Sequence, residues 1–386
     1  MEYAIEKVTT PRQLDSFIDL PYRLYRNDPH WVPQIRYFQK QLFHRKKHPF
    51  HRHADVEYFI ALDRNGRVRG RVASIVNHAH NEYHGEKTGF FGFLEMENDP
   101  GIASALLESC EENLAAAGME RVLGPMNFST NEECGMLVSG FRGSPLIMMT
   151  YNPEWYPELV ESCGYTKTKD LYAYRLYSAR ASESRMSRVA ELVLRRSNAV
   201  IRNISLKRIK REVDLIMDIY NECWKDNWGF VPMTREELDH MASELKSILV
   251  PSMAPIVEID GKAVAFAVSL PDANIPMKKA RGSLIGTLLA LKVPPFKVKI
   301  DRSRVLLLGV RKAYRGRGLE ALLIDRIIKA NVDAGVEWGE LSWILEDNVA
   351  MRSILEKDLD SELYRIYRIY GKELAPEAGE ARDELR

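Results

Sequence analysis

The stretch VLLLGVRKAYRGRGLEALLIDRIIK, Val305 to Lys329, holds the residues best suited to chemistry. An apolar strand pattern ends at Val310, a short basic turn carries Gly316 and Gly318, and an amphipathic helix pattern follows at once. Glycines let backbone N–H groups approach a ligand closely. The first amides of a helix have no intrahelical acceptor and sit at its positive dipole end. Arg315 and Arg317 add charge-assisted donors. A glycine pair alone usually marks a surface turn. Strand, Arg-Gly-Arg-Gly and immediate helix in succession point instead to an anion site of the kind that grips phosphate.

The elements that must position this turn occur twice along the chain. YFIALDRNGRVRGRVASIV (Tyr58 to Val76) reads as two alternating strands about a turn at Asp63 to Gly66, and PIVEIDGKAVAFAVSL (Pro255 to Leu270) reads the same way about Asp260-Gly261. Such Asn-Gly and Asp-Gly pairs supply the positive φ that a tight hairpin needs. ALLESCEENLAAAGME (Ala105 to Glu120) matches ALLIDRIIKANVDAGVE (Ala321 to Glu337), two helices ending at an Ala-Gly pair whose glycine suits a left-handed cap. Each helix follows an apolar strand, Gly89 to Met96 or Val305 to Val310. Each precedes another strand, near Arg121 to Leu123 or Glu340 to Leu345. The repeated order predicts two related α/β (α+β) domains, with a linker in the polar stretch Ser178 to Arg185. Helices are expected over Met186 to Asn198, Lys207 to Trp228 and Glu236 to Ile248. Superposing the two matched helices puts Asp99-Pro100-Gly101-Ile102 where Arg315-Gly316-Arg317-Gly318 stands. An acid replaces a base there and proline removes an N–H, so the first domain is expected not to bind phosphate at that loop.

Leu308-Gly309-Val310 followed by Arg315-Gly316-Arg317-Gly318 resembles the pyrophosphate-binding motif of the GNAT N-acyltransferase superfamily, Q/R-x-x-G-x-G/A. The likeness runs from about Ser205 to Tyr370. It implies two tandem GNAT-like domains, each a mixed, mostly antiparallel sheet flanked by helices: residues 1–178 without the phosphate loop, 179–204 a linker and helix, and 205–386 binding acyl-CoA. By the same resemblance the loop amides hold the coenzyme A pyrophosphate, and the preceding strand splays from its neighbour to admit the pantetheine arm. Leu308, Gly309, Val310, Arg315, Gly316, Arg317, Gly318, Leu319 and Asn348 then become the coenzyme contacts, with Asn348 also a plausible helix cap. Two departures stand out. The motif's last small residue is Glu320, and the tyrosine that protonates the thiolate in the family is replaced by Leu355.

Tyr364, Tyr367 and Tyr370 alternate along an aromatic strand pattern, where core packing competes with an acid role. Because the acceptor ammonium must lose a proton, Glu346 and Glu95 are the base candidates. A thiolate also leaves with little help. The segments Gly124 to Phe141 and Met148 to Tyr156 resemble a bacterial tandem-GNAT family of about this length with no settled substrate. Asn127, Asn131, Tyr151 and Asn152 are acceptor-side candidates set against turn and packing roles. So is Trp228, although Trp224 and Trp228 at helical spacing also suit a buried stripe.

Composition narrows the rest. Across 386 residues, 55 basic and 54 acidic side chains leave a net charge of +1, which removes a global field for nucleic acid. Cys110, Cys134, Cys163 and Cys223 show neither disulfide nor zinc spacing. The irregular histidines His44, His48, His51 and His53 make a poor metal set. MEYAIEKVTT lacks a signal-peptide layout, and the apolar run Leu284 to Val293 is too short to span a bilayer. The expectation is a cytoplasmic acyltransferase without a metal, open to homo-oligomer formation, that moves an acyl group from acetyl-CoA directly to a small-molecule or peptide primary amine. A non-catalytic acyl-CoA-binding protein and a long-chain acyltransferase are the alternatives, the latter motivated by apolar Leu284 to Phe296.

Overall fold

The structure is a computed structural model describing residues 3–181 and 185–374. Part of the expected linker, residues 182–184, lies outside the described residues, as do Met1, Glu2 and 375–386. The described residues form two compact units, one up to Asp170 together with Tyr367 onward, the other from Leu171 to Ile366. The sequence division at 178 and 204 therefore differs from the structure in one consequential way. The last strand returns to the first unit.

In the first unit β1 (Ala4–Lys7), α1 (Pro11–Leu24), α2 (Arg36–Leu42), β2 (Ala54–Leu62), β3 (Val68–Asn77), α3 (His78–His84), β4 (Thr88–Met96) and α4 (Pro100–Ala116) are followed by four short strands. These are β5 (Arg121–Gly124), β6 (Met126–Asn127), β7 (Glu133–Cys134) and β8 (Met136–Ser139). Then come α5 (Tyr156–Ser162) and β9 (Thr166–Tyr177), which runs on into the second unit. β1 to β4 pair antiparallel in order, β4 joins β5 in parallel, and the closing strand pairs antiparallel with β5. Helix α4 covers one face, burying Ile102, Ala103, Leu106, Leu107, Cys110 and Leu114 against Val72, Phe91 and Val122. Asp99 caps α4 by accepting from the Gly101 N–H at 2.8 Å, with Pro100 at the first helical position.

The second unit repeats the plan. α6 (Ser178–Ala181), α7 (Arg185–Arg196), β10 (Ala199–Asn203), α8 (Ile209–Trp224) and α9 (Arg235–Leu245) lead into the hairpin β11 (Pro255–Ile259) and β12 (Lys262–Pro271). An inserted pair, α10 (Asn274–Lys279) and α11 (Leu284–Lys292), precedes β13 (Arg302–Val310) and α12 (Leu319–Asp333). β14 (Trp338–Leu345), α13 (Val349–Ser353) and β15 (Glu362–Glu373) are the last elements among the described residues. The strand order is β9-β14-β13-β12-β11-β10, antiparallel except for β13 with β14. The hairpin turn has the expected positive φ at Asp260 (50°) and Gly261 (76°). Leu319, Leu322, Leu323 and Ile327 of α12 bury against Val257, Val264, Ala265 and Val310 of the sheet. One expectation fails locally. Helix α8 ends at Trp224, so Trp228 lies in the following turn, half-exposed, and the two tryptophans do not share a helical stripe.

Candidate functional site

The strand, turn and helix of the second unit have the predicted layout. Gly316 (φ 72°) and Gly318 (φ 78°) both adopt the left-handed region, and Gly318 is the N-cap of α12 without any side-chain cap. Only glycine enters that region without strain. A Cβ on Gly318 would also lie 2.7 Å from Cγ2 of Val193 on α7. The consequence is a run of donors. The backbone N–H groups of Gly316, Arg317, Gly318, Leu319 and Glu320 find no acceptor among the described residues. Unpaired amides at a helix mouth form an anion cradle.

The loop is fastened from behind. Glu222 of α8 pairs with Arg311 at 2.5 Å and accepts from the Lys312 N–H at 3.0 Å. Burial works against the Glu222 charge, but Arg311 and the Lys312 amide outweigh it and hold the carboxyl below its ordinary range. Arg315 folds back, its Nε donating to the Val310 carbonyl at 3.1 Å, while Arg317 lies over the Tyr314 ring at 5.0 Å. Gly309 has a packing reason: a Cβ there would meet the Trp224 ring at 2.6 Å, and Trp224 stacks on Tyr220 at 4.7 Å.

Upstream, β13 separates from β14. Their last parallel pair is Val305 with Leu341. Beside it the β12 register skips Leu306, which makes a bulge. Beyond that point β13 pairs only with β12, and Leu345 and Ile344 of β14 pair with β9. The opened seam continues into a small apolar cleft beneath α12. Val305, Leu308, Ile324, Ile327, Ile328 and Leu341 give it apolar walls, and Leu176, Ser178 and Ala181 from the end of β9 and α6 close it.

The remaining sequence candidates are placed as follows. Asn348 caps α13 through Met351 N–H at 3.2 Å, in the turn after β14, with half-buried Glu346 two residues before it. Leu355 is fully buried. Tyr364 donates to Glu340, inside a buried network in which Ser342 bonds Glu340 at 2.6 Å and Arg304 bonds Ser342 at 2.9 Å. In the first unit, Glu95 is held by Tyr25, by Tyr156 at 3.1 Å and by Arg71 at 3.9 Å, and burial raises its pKa. Tyr151 donates to Asp28, and Asn152 bridges Leu137 N–H (2.7 Å) and carbonyl (3.0 Å).

Asn127 has a more telling partner. In the first unit β4 also leaves its parallel neighbour, after Phe90 and Leu123, with a bulge where Phe93 has φ 50°. The chain itself fills the gap. Asn127 Oδ1 accepts from the Phe93 N–H at 2.8 Å, and a Cβ on Gly92 would sit 1.8 Å from the Met126 carbonyl oxygen. The sequence pattern gave no sign of β6, of the Glu222 clamp or of the α6 contribution to the cleft.

The paired strands that part at a bulge, the cradle of amides and the repeated unit make a tandem GNAT fold, two GNAT-like units in one chain. No family model matches the chain. Over 385 residues it is 33% identical to a bacterial ceramide synthase of Caulobacter vibrioides, covering 97% of this chain and 98% of that one. Over 367 residues it is 32% identical to protein YghO of Escherichia coli, covering 94% and 93%. The chain belongs to the family of these two proteins. Among solved structures, a tandem GNAT protein from the clavulanic acid biosynthesis pathway aligns over 97% of this chain and 99% of its own, with TM-score 0.59 at 12% identity, a likeness of fold. Among the described residues no helix is long and apolar enough to cross a membrane.

Proposed function

We propose that the protein transfers a long acyl chain from coenzyme A to the primary amine of a lipid-like amino alcohol, working on the cytoplasmic side where acyl-CoA is available. The cleft carries this reading. Acetyl-CoA, the donor favoured on sequence, would leave its six apolar walls without a partner, whereas each buried methylene contributes about 0.8 kcal/mol. The name of the Caulobacter relative, a ceramide synthase, supports an amine acceptor of this class.

In this reading the diphosphate lies on the amides of Gly316 to Glu320, and the pantetheine adds to the free edge of β13 between Leu306 and Val310. The thioester then sits beside the bulge, with its chain directed along Leu308, Ile324 and Ile328. A neutral amine attacks the carbonyl, the C–S bond breaks and an amide forms. The ammonium proton leaves to Glu346 or a water it holds, and the thiolate takes a solvent proton. Glu346 is favoured over Glu95 and Tyr364 because it stands in the turn directly after β14, the strand that parts from β13. Positioning supplies much of the acceleration.

The test measures affinity for acetyl- through palmitoyl-CoA and single-turnover coenzyme A release with sphinganine as acceptor. Affinity rising with chain length, with an N-acyl product by mass spectrometry, supports the proposal. Chain-length-independent affinity with acetyl transfer alone would overturn the long-chain part. Tight binding with no release to any amine would mean a non-catalytic acyl-CoA-binding protein.

A further inference from the structure

We propose that the α10–α11 insertion is a docking element for an anionic lipid bilayer. Helix α11 inverts the usual arrangement of an amphipathic helix. It buries Thr287 and Ala290 and turns Ile285 (73% exposed) and Leu288 (42%) outward. With Lys292 these lie at i, i+3 and i+7, a single stripe. Val293 (41% exposed) and Phe296 (56%) extend the apolar surface beyond the helix. Ser283 caps α11 through Gly286 N–H at 3.2 Å, so the helix is properly started and its outward face is a built surface.

The charge around this face has one sign. Residues 273–300 contain six basic side chains and no Asp or Glu. Lys299 pairs with Glu337 at 2.7 Å. Lys279, Arg281, Lys292 and Lys297 are exposed and have no carboxylate partner among the described residues. Aliphatic and aromatic side chains ringed by unpaired cations suit the boundary between acyl chains and anionic headgroups. A second copy seated on the same face would set this ring of cations against itself. At nine residues the helix lies in the interface and does not cross it.

The placement suits the rest of the unit. The insertion enters β13 at Arg302, eight residues from Val310, so the phosphate loop stands about 25 Å along the strand. Docking through α11 leaves that end open to soluble coenzyme. The proposal does not depend on the length of the acyl chain transferred.

The test uses the full chain and co-sedimentation with phosphatidylglycerol-containing or pure phosphatidylcholine vesicles. The expected result is binding to the anionic vesicles that weakens with salt and is marginal on the neutral ones. I285S/F296S should weaken binding about tenfold or more, and K279Q/K292Q/K297Q about fivefold per charge removed, at unchanged melting temperature because all five positions are exposed. Independently, F296W should gain a blue-shifted emission component on anionic vesicles over the wild-type spectrum. Vesicle binding unaffected by both multiple variants would overturn the proposal. So would loss of a dimer in I285S/F296S with no change in vesicle binding, or an F296W difference spectrum that vesicles leave alone. Capture of an acidic protein in place of vesicles would count equally against it.

Discussion

The two units part their central strands in the same way and then treat the opening differently. In the second, β13 bulges at Leu306, leaves β14 after Val305, and keeps its edge free to Val310. In the first, β4 bulges near Phe93, leaves β5 after Phe90, and is met by Met126 and Asn127. An amide oxygen of the chain thus occupies a position that the edge of β13 offers to an incoming group. The helices that follow diverge in step. Gly318 starts α12 with no side-chain acceptor and leaves five amides unpaired, whereas Asp99 starts α4 and consumes the Gly101 amide. Backbone donors at such a break and at a helix mouth need acceptors, and in the first unit Asn127 and Asp99 supply them to Phe93 and Gly101.

The largest effect is expected from G316D/G318D. It puts two carboxylates and two left-handed non-glycine residues into the cradle, each residue costing about 1–2 kcal/mol before any charge repulsion. Acyl-CoA affinity by calorimetry should fall roughly a hundredfold or more. D99N in the first unit should leave it unchanged. Equal losses in both would mean that the loops do not differ as described.

Next in size, I324W fills the cleft without touching the cradle. Palmitoyl-CoA should lose about tenfold or more in affinity, since each displaced methylene is worth about fourfold, while acetyl-CoA binds as before. A parallel loss for both donors would place the acyl chain elsewhere.

Much of this architecture was legible in the sequence because its signals are local. The hairpins at Asp63 to Gly66 and Asp260-Gly261, the Gly118 and Gly335 helix ends and the Arg-Gly-Arg-Gly turn each declare themselves within a few residues, and the observed elements match within five. What was not legible depends on distant partners. A two-residue bridge such as Met126–Asn127 has no periodicity to detect, so Asn127 read as an acceptor contact. Trp224 and Trp228 have helical spacing, but the helix ends between them. Ser178 to Ala181 fell within the expected linker, yet Ser178 and Ala181 line the cleft. The return of Tyr367 onward to the first unit is a choice of strand partner, which alternation along one strand cannot encode.

Asn127→Ala should act more modestly, on the first unit alone. It leaves the Phe93 N–H without its acceptor, which should lower stability by about 1–2 kcal/mol in urea unfolding. It should not create a second coenzyme site, because Asp99 and Pro100 still stand at the helix mouth. Calorimetric stoichiometry therefore stays at one. A stoichiometry of two would show that the plug alone silences the first unit.

The smallest effects come from the two carboxylates that tie the loops down. Asp99 resists the cost of burial through the Tyr3 hydroxyl and the Gly101 and Ile102 amides, and Glu222 does so through Arg311 and the Lys312 amide, so both titrate below their ordinary values. A depressed folded pKa gives stability that is present above the unfolded value, about 3.9 for Asp and 4.3 for Glu, and lost as pH falls through the folded one. Melting temperature should therefore drop on acidification below about pH 4, and E222Q and D99N should each flatten part of that drop. Asn remains a good N-cap, so D99N should cost little at neutral pH. The functional consequences differ because the tethers hold different things. Glu222 fixes the point at which β13 gives way to the cradle, and E222Q should weaken acyl-CoA binding about two- to threefold, the scale of a partly exposed ion pair. Asp99 caps a helix mouth that already has its acceptor, so no change in coenzyme affinity is expected from D99N at any pH where the protein is folded.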